Sequence, residues 1–261
     1  MTRLLARAQT DAWWPIALAA ALTFGTGAID VTTLTRHGGV FASVITGNLM
    51  LTGFGLANGN TTLVMHAATA VGGFIVGVAV GTRFAGARDP DGPRWPPGVT
   101  VALGLEFVVL SVFTLGWEAT GAAPTGSAQL GLLATAAIGM GLQSAAARGL
   151  GVTVATTYLT GTLTGVIAGL AGSPRSRTDR AGVAALIAAV AGAICGGLAL
   201  STVPAAAPLL IMTPLTLVLA TAVRRHHGEA RGSTRRLPSA TPAPEQAERV
   251  LVATTTGADR R

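Results

Sequence analysis

Residues 39–57 read GVFASVITGNLMLTGFGLA, and residues 152–171 read VTVATTYLTGTLTGVIAGLA. Both stretches are apolar and long enough to cross a bilayer. Each carries a Thr-Gly pair, Thr46-Gly47-Asn48 in the first and Thr160-Gly161-Thr162 in the second. Whether they cross or fold back decides between eight crossings and six.

Around them lie six continuous apolar blocks, about 13–35, 61–83, 98–117, 128–147, 182–203 and 205–223. Blocks of roughly 20 residues match a hydrocarbon core of about 30 Å. The composition agrees: only 11% of residues are charged and the mean hydropathy is +0.56, where a soluble domain carries about 25% charge. The fold class that follows is an all-α integral membrane protein. With 35 glycines and 5% aromatics, small residues can let helices approach closely in lipid.

Loop charge favours six crossings. Arg3 and Arg7, then Arg83, Arg88 and Arg94, then Arg148, then Arg175, Arg177 and Arg180, and the tail from Arg224 all fall on one side if both Thr-Gly segments are re-entrant or broken helices. The Arg-free connections 118–127 and 203–205 then lie outside, as the positive-inside bias requires. Arg36, beside His37, is the exception. The expected organisation is a cytoplasmic segment 1–12, a membrane domain 13–223 and a disordered basic cytoplasmic tail 224–261. Trp13 and Trp14 read as interfacial anchors of a retained first span rather than part of a signal peptide.

The two halves, 13–117 and 128–223, share an order of elements: span, Thr-Gly segment, span, span. At an offset of 114 residues Gly25-Thr26-Gly27 faces Gly139-Met140-Gly141, and Thr46-Gly47 faces Thr160-Gly161. Five further residues of offset bring Gly73 and Gly77 opposite Gly192 and Gly196, which read as helix-packing glycines. Three crossings per half turn the second copy over, giving a 3+3 inverted repeat of the kind found in transporters.

Candidate functional residues follow from what hydrocarbon forbids. Non-helical backbone is tolerated there only when protein covers it or water reaches it, so the Thr-Gly segments are the expected pathway. Thr46, Gly47, Asn48, Tyr158, Thr160, Gly161 and Thr162 would line it. Asp30 and Glu106 are intramembrane carboxyls, functional hypotheses by default; Asp30 is expected as a gate or proton-coupling group and Glu106 as a second one or as the partner of an Arg. Gln143 could face the same pathway, and His66 could titrate near neutrality.

The net charge of +7 and pI near 11.5 do not imply nucleic-acid binding, because all 18 basic residues are Arg placed between spans and in the tail. Cys195 stands alone, so no disulfide framework or thiolate metal site is expected. No metal-ligand spacing, P-loop, Rossmann fingerprint or nucleophile elbow occurs; neither an enzyme nor a cofactor is expected. The expected partners are the lipid bilayer and a small solute or ion, with room for a homo-oligomer.

The run Gly27-Ala28-Ile29-Asp30-Val31, followed by Gly38-Gly39-Val40-Phe41-Ala42-Ser43-Val44-Ile45-Thr46-Gly47-Asn48, resembles the YoaK family of bacterial membrane proteins. Thr156-Thr157-Tyr158-Leu159-Thr160-Gly161-Thr162 is similar to that family's second Thr-Gly motif. The resemblance spans roughly residues 13–223 and implies a multi-pass inner-membrane protein of about six spans. It marks Asp30, Thr46, Gly47, Asn48, Thr160 and Gly161 as motif residues and implies no substrate. Two readings remain: a transporter or channel with its pathway between the Thr-Gly segments, or a non-transporting scaffold or subunit whose polar residues only lock helices together. A cavity joining the two segments separates them.

Overall fold

A chain in hydrocarbon must pair its own backbone groups, and this one does so as helices. The computed structural model describes residues 2–86, 95–150, 159–172 and 177–234. The elements are α1 (Thr2–Arg36), α2 (Ile45–Ala57), α3 (Thr61–Ala85), α4 (Pro97–Ala119), α5 (Gly126–Gly149), α6 (Leu159–Gly172), α7 (Arg177–Thr202) and α8 (Leu209–Thr234), with a 3-10 turn at Pro204–Ala206. Among the described residues six stretches are long and apolar enough to cross a membrane: Ile16–Arg36, Thr61–Ala85, Pro97–Ala119, Gly126–Gly149, Ala181–Thr202 and Pro204–Arg224. They coincide with the six apolar blocks to within a few residues.

Two features extend the expected boundaries. α1 is helical from Thr2, ahead of the span Ile16–Arg36. The tail does not begin as coil at Arg224, because α8 continues to Thr234; residues 235–261 lie outside the described residues. At both ends an existing helix extends without a new nucleus. The compact unit nevertheless ends at Val223, and Arg224–Arg261 form a second unit. The Thr-Gly pairs also do not interrupt the helices that hold them. Thr46-Gly47 lies in the first turn of α2, and Thr160-Gly161 lies within α6, next to residues 151–158, which are outside the described residues. In the first half the non-helical backbone lies upstream, at 37–44, where Gly38 (φ +83°) and Gly39 (φ +77°) adopt a conformation that favours glycine.

α2 has 13 residues. At 1.5 Å per residue it is about 20 Å long, short of the roughly 30 Å core. Contacts at its two ends show where the segment between α1 and α3 starts and finishes. Gln129, in the first turn of α5, donates through Nε2 to the Arg36 carbonyl (2.8 Å), and its Oε1 meets His66 Nε2 (3.1 Å). Gly38 lies against the His66 ring. At the far end of α2, Asn60 N–H donates to the Gly55 carbonyl (2.8 Å), and Asn60 Oδ1 caps α3 by accepting from Leu63 N–H (3.0 Å). The segment between α1 and α3 therefore leaves and rejoins the bundle at one end. Arg36 has a structural task at that end: its Nη2 donates to the Leu200 carbonyl in the last turn of α7 (3.4 Å). Trp117 of α4 likewise donates to the Pro204 carbonyl (3.0 Å).

Glycines set the closest helix pairs. On α1 and α7, a Cβ at Gly27 would strike Ala189 and Ala193, one at Gly192 would strike Phe24, and one at Gly196 would meet Ala28. On α5 and α3, a Cβ at Gly141 would strike Phe74 and Val78, one at Gly77 would strike Ile138, and one at Gly81 would meet Leu142. Numbers rise together in each pair, so α1 runs parallel to α7 and α3 parallel to α5. Shifting each α1 residue forward by 114 and each α7 residue back by 115 converts the first set of contacts into the second, contact by contact. The equivalences are thus Gly77 with Gly192 and Gly81 with Gly196, correcting the pairing of Gly73 and Gly77 with those positions. The stripe Gly73, Gly77, Gly81 repeats every four residues, so sequence alone leaves a one-turn ambiguity. Gly73 packs on Ala134 and Ala137 of α5.

These contacts predict a contrast on one helix. Gly77→Ala, whose new methyl meets the Ile138 carbonyl, should destabilise the protein by about 1–3 kcal/mol. Gly72→Ala, which faces open space, should be neutral. Thermal unfolding in detergent checks both, and equal effects would contradict the packing described.

Candidate functional site

The site begins with three peptide groups that have no helix to satisfy them. Residues 41–43 follow the two left-handed glycines and run back beside α1. Phe41 N–H donates to Asn48 Oδ1 (3.0 Å), Ala42 N–H to Thr33 Oγ1 (3.0 Å) and Ser43 N–H to Asp30 Oδ1 (2.8 Å). Asn48 Nδ2 returns a bond to the Phe41 carbonyl (2.7 Å), and Ser43 Oγ–H donates to Asp30 Oδ2 (2.5 Å). Asp30, Thr33, Ser43 and Asn48 are all buried. Two side chains of α1 and one of α2 thus take the place of a hydrogen-bonded ladder.

The segment delivers the first turn of α2 to a cavity of about 600 Å³, lined by Ser43, Ile45 and Thr46, by Phe74 and Val78 of α3, by Ser144, Ala145 and Arg148 of α5, and by Thr160 and Gly161 of α6. α2 begins at this cavity, and α6 reaches it with Thr160 and Gly161. No side chain caps α2; Ile45 N–H bonds to the Ser43 carbonyl and Asn48 N–H to Val44, while Thr46 lines the cavity. The first turns of helices carry partial positive charge. Arg148, exposed and held only loosely by Thr82 Oγ1 (3.5 Å), adds a full one.

The structure divides the residues singled out from sequence. Thr46, Thr160 and Gly161 line the cavity. Asp30 touches it through Ser43. Gly47 packs near Val44 and Phe41, and Asn48 secures the loop rather than lining the cavity. Thr162 packs against Gly182 of α7. Tyr158 lies outside the described residues. Glu106 is not paired with an Arg: it accepts from Gln143 Nε2 (2.9 Å), and Gln143 Oε1 accepts from Thr26 Oγ1 (2.8 Å), in a buried chain apart from the cavity lining. His66 bonds to the Thr62 carbonyl and Gln129 at the end of the bundle. Sequence reasoning missed Ser43, Thr33, Ser144 and Arg148 as parts of the site. Ser43 was legible inside the motif 38–48, and Thr33 lies about one turn beyond Asp30. Among the described residues no three His, Cys, Asp or Glu side chains gather to hold a metal ion.

A helical, six-span protein with these motifs is a multi-pass membrane protein, and the chain belongs to the family described as "Protein of unknown function (DUF1275)", whose model matches residues 18–222. It is similar to the UPF0700 transmembrane protein YoaK of Bacillus subtilis (strain 168), with 34% identity over 105 residues. That match covers 40% of this chain and 46% of the relative, so the chain spans about half the length of the curated relative it matches. No solved structure matches.

The hydrogen bonds to residues 41–43 predict unequal costs within one motif. Asn48→Leu and Asp30→Ala each strand buried backbone donors and should cost about 1–3 kcal/mol per unsatisfied group, whereas Thr46→Val, exposed at the cavity, should unfold close to wild type. A thermal series across the three variants checks the order.

Proposed function

We propose that this protein is a transporter or channel for a small solute or ion, with its binding site in the cavity lined by Thr46 of α2 and by Thr160 and Gly161 of α6. The single observation that carries this reading is that one cavity of about 600 Å³ is lined by both Thr-Gly helices. A scaffold whose polar groups served only to lock helices would have a packed centre instead.

The orientation proposed is an inner-membrane protein with both termini cytoplasmic, as the Arg distribution favours. The end where α2 leaves and rejoins the bundle is then external, and α2 is a re-entrant hairpin. The matching contacts of α1 with α7 and of α3 with α5 support two halves related by an inverted repeat. Under that relation α6 enters from the opposite face, and the two first turns meet near the middle of the bilayer. Helix N-termini favour solutes that accept hydrogen bonds, anions above all. The Thr46 and Thr160 hydroxyls supply neutral replacements for hydration, and Arg148 draws negative charge from one side. Asp30 acts through Ser43, holding its hydroxyl in place at the cavity wall.

Reconstituted proteoliposomes screened with small inorganic and carboxylate anions test the reading. Wild type should show flux of at least one, and Arg148→Gln should reduce it on the order of tenfold, the equivalent of one charge-assisted hydrogen bond. Asp30→Asn, which keeps an acceptor for Ser43 N–H, should fold but transport poorly. A protein that passes none of the anions and is stabilised by none in a thermal-shift screen would overturn the proposal.

A further inference from the structure

Glu106 is completely buried midway along α4 and ends the side-chain chain that begins at Thr26 on α1 and passes through Gln143 on α5. The Thr26 hydroxyl lies within reach of both the Leu22 carbonyl (3.1 Å) and Gln143 Oε1 (2.8 Å), and Gln143 Nε2 donates to Glu106 Oε1 (2.9 Å). The other carboxyl oxygen, Oε2, is buried and has no partner. Around this level the core is apolar, with Ala102, Leu103, Leu110, Ala136 and Met140 all buried.

Among the described residues no cation pairs with it, and the buried His37 ring packs farther along α4, against Phe113 and Trp117. Asp30, one turn beyond Thr26 on α1, turns to Ser43. Arg148, beyond Gln143 on α5, lines the cavity. Between Ala181 and Thr202, α7 contributes only Cys195; α8 has no titratable side chain between Leu209 and Val223, and α3 has His66 and Arg83 near its ends. An ionised carboxylate would sit here with one donor and one bare oxygen, an arrangement that hydrocarbon-like surroundings penalise. A metal cation would need several oxygen ligands, and the nearby Thr26 and Gln143 oxygens already bond to each other. A proton needs only the free oxygen.

We propose that Glu106 is an intramembrane proton-binding site, with the proton carried on Oε2 and Gln143 holding the opposite oxygen. The site does not depend on the transport reading, because none of its three side chains lines the cavity. It has a route to influence that cavity, since Gln143 adjoins Ser144 on α5. Loss of the proton would place a full negative charge at the junction of α1, α4 and α5, and would pull Gln143 with it.

The test is an infrared titration of the full-length protein in phosphatidylcholine liposomes, with no solute added. The expected result is a protonated-carboxyl C=O band at neutral pH that is lost in Glu106→Gln and retained in Asp30→Asn. Gln143→Met, which removes the hydrogen bond to Oε1, should keep the band and shift its frequency, so the assignment survives if Glu106→Gln fails to fold. Absence of any protonated-carboxyl band at neutral pH would overturn the proposal. So would a band that persists in Glu106→Gln, one that vanishes in Asp30→Asn, or one that Gln143→Met leaves unmoved.

Discussion

The architecture depends on how three backbone N–H groups are satisfied away from any helix. Residues 41–43 turn back beside α1, where an unpaired peptide group is costly. Asn48, Thr33 and Asp30 each accept from one of them. This makes Asp30 part of the frame as well as a neighbour of the cavity. An intramembrane carboxylate that receives two donors from Ser43 has a structural reason to exist, and the same bonds fix the Ser43 hydroxyl at the cavity wall.

Close helix contact then sets where the two short helices point. Gly27, Gly192 and Gly196 bring α1 and α7 together, as Gly141, Gly77 and Gly81 do for α5 and α3, and the two sets of contacts superimpose through one pair of offsets. Each pair carries a short helix on its second member, α2 against α3 and α6 against α7. Bundle packing by small residues thus sets the frame on which α2 and α6 reach one cavity.

The six spans were legible because a block of about 20 apolar residues has few alternatives. The Thr-Gly segments were ambiguous for the same reason, since each apolar stretch is long enough to cross and only the structure confines the first helix to Ile45–Ala57. Their internal geometry was less legible. Thr46-Gly47 looks like a helix break, but the break lies at Gly38 and Gly39, and Asn48 resembles a pathway amide until its partner Phe41 is known. Side chains that serve distant backbone, such as Thr33 and Asp30, carry no periodicity to betray them. Glu106 was visible as a buried carboxyl, but its link to Thr26 crosses three helices and could not be read from spacing. The equivalence of Gly77 with Gly192 needed the structure, because a four-residue stripe fits its copy in more than one register.

The central claim is that the chain between α1 and α3 enters and leaves the membrane on one face. Single cysteines at Thr35 and Asn58, in a Cys195→Ala background, can be labelled with a membrane-impermeant thiol reagent in sealed, oriented vesicles. The account predicts that both react from the same side, the external one. Labelling from opposite sides would make α2 part of an ordinary crossing and would remove the basis for the cavity as a pathway.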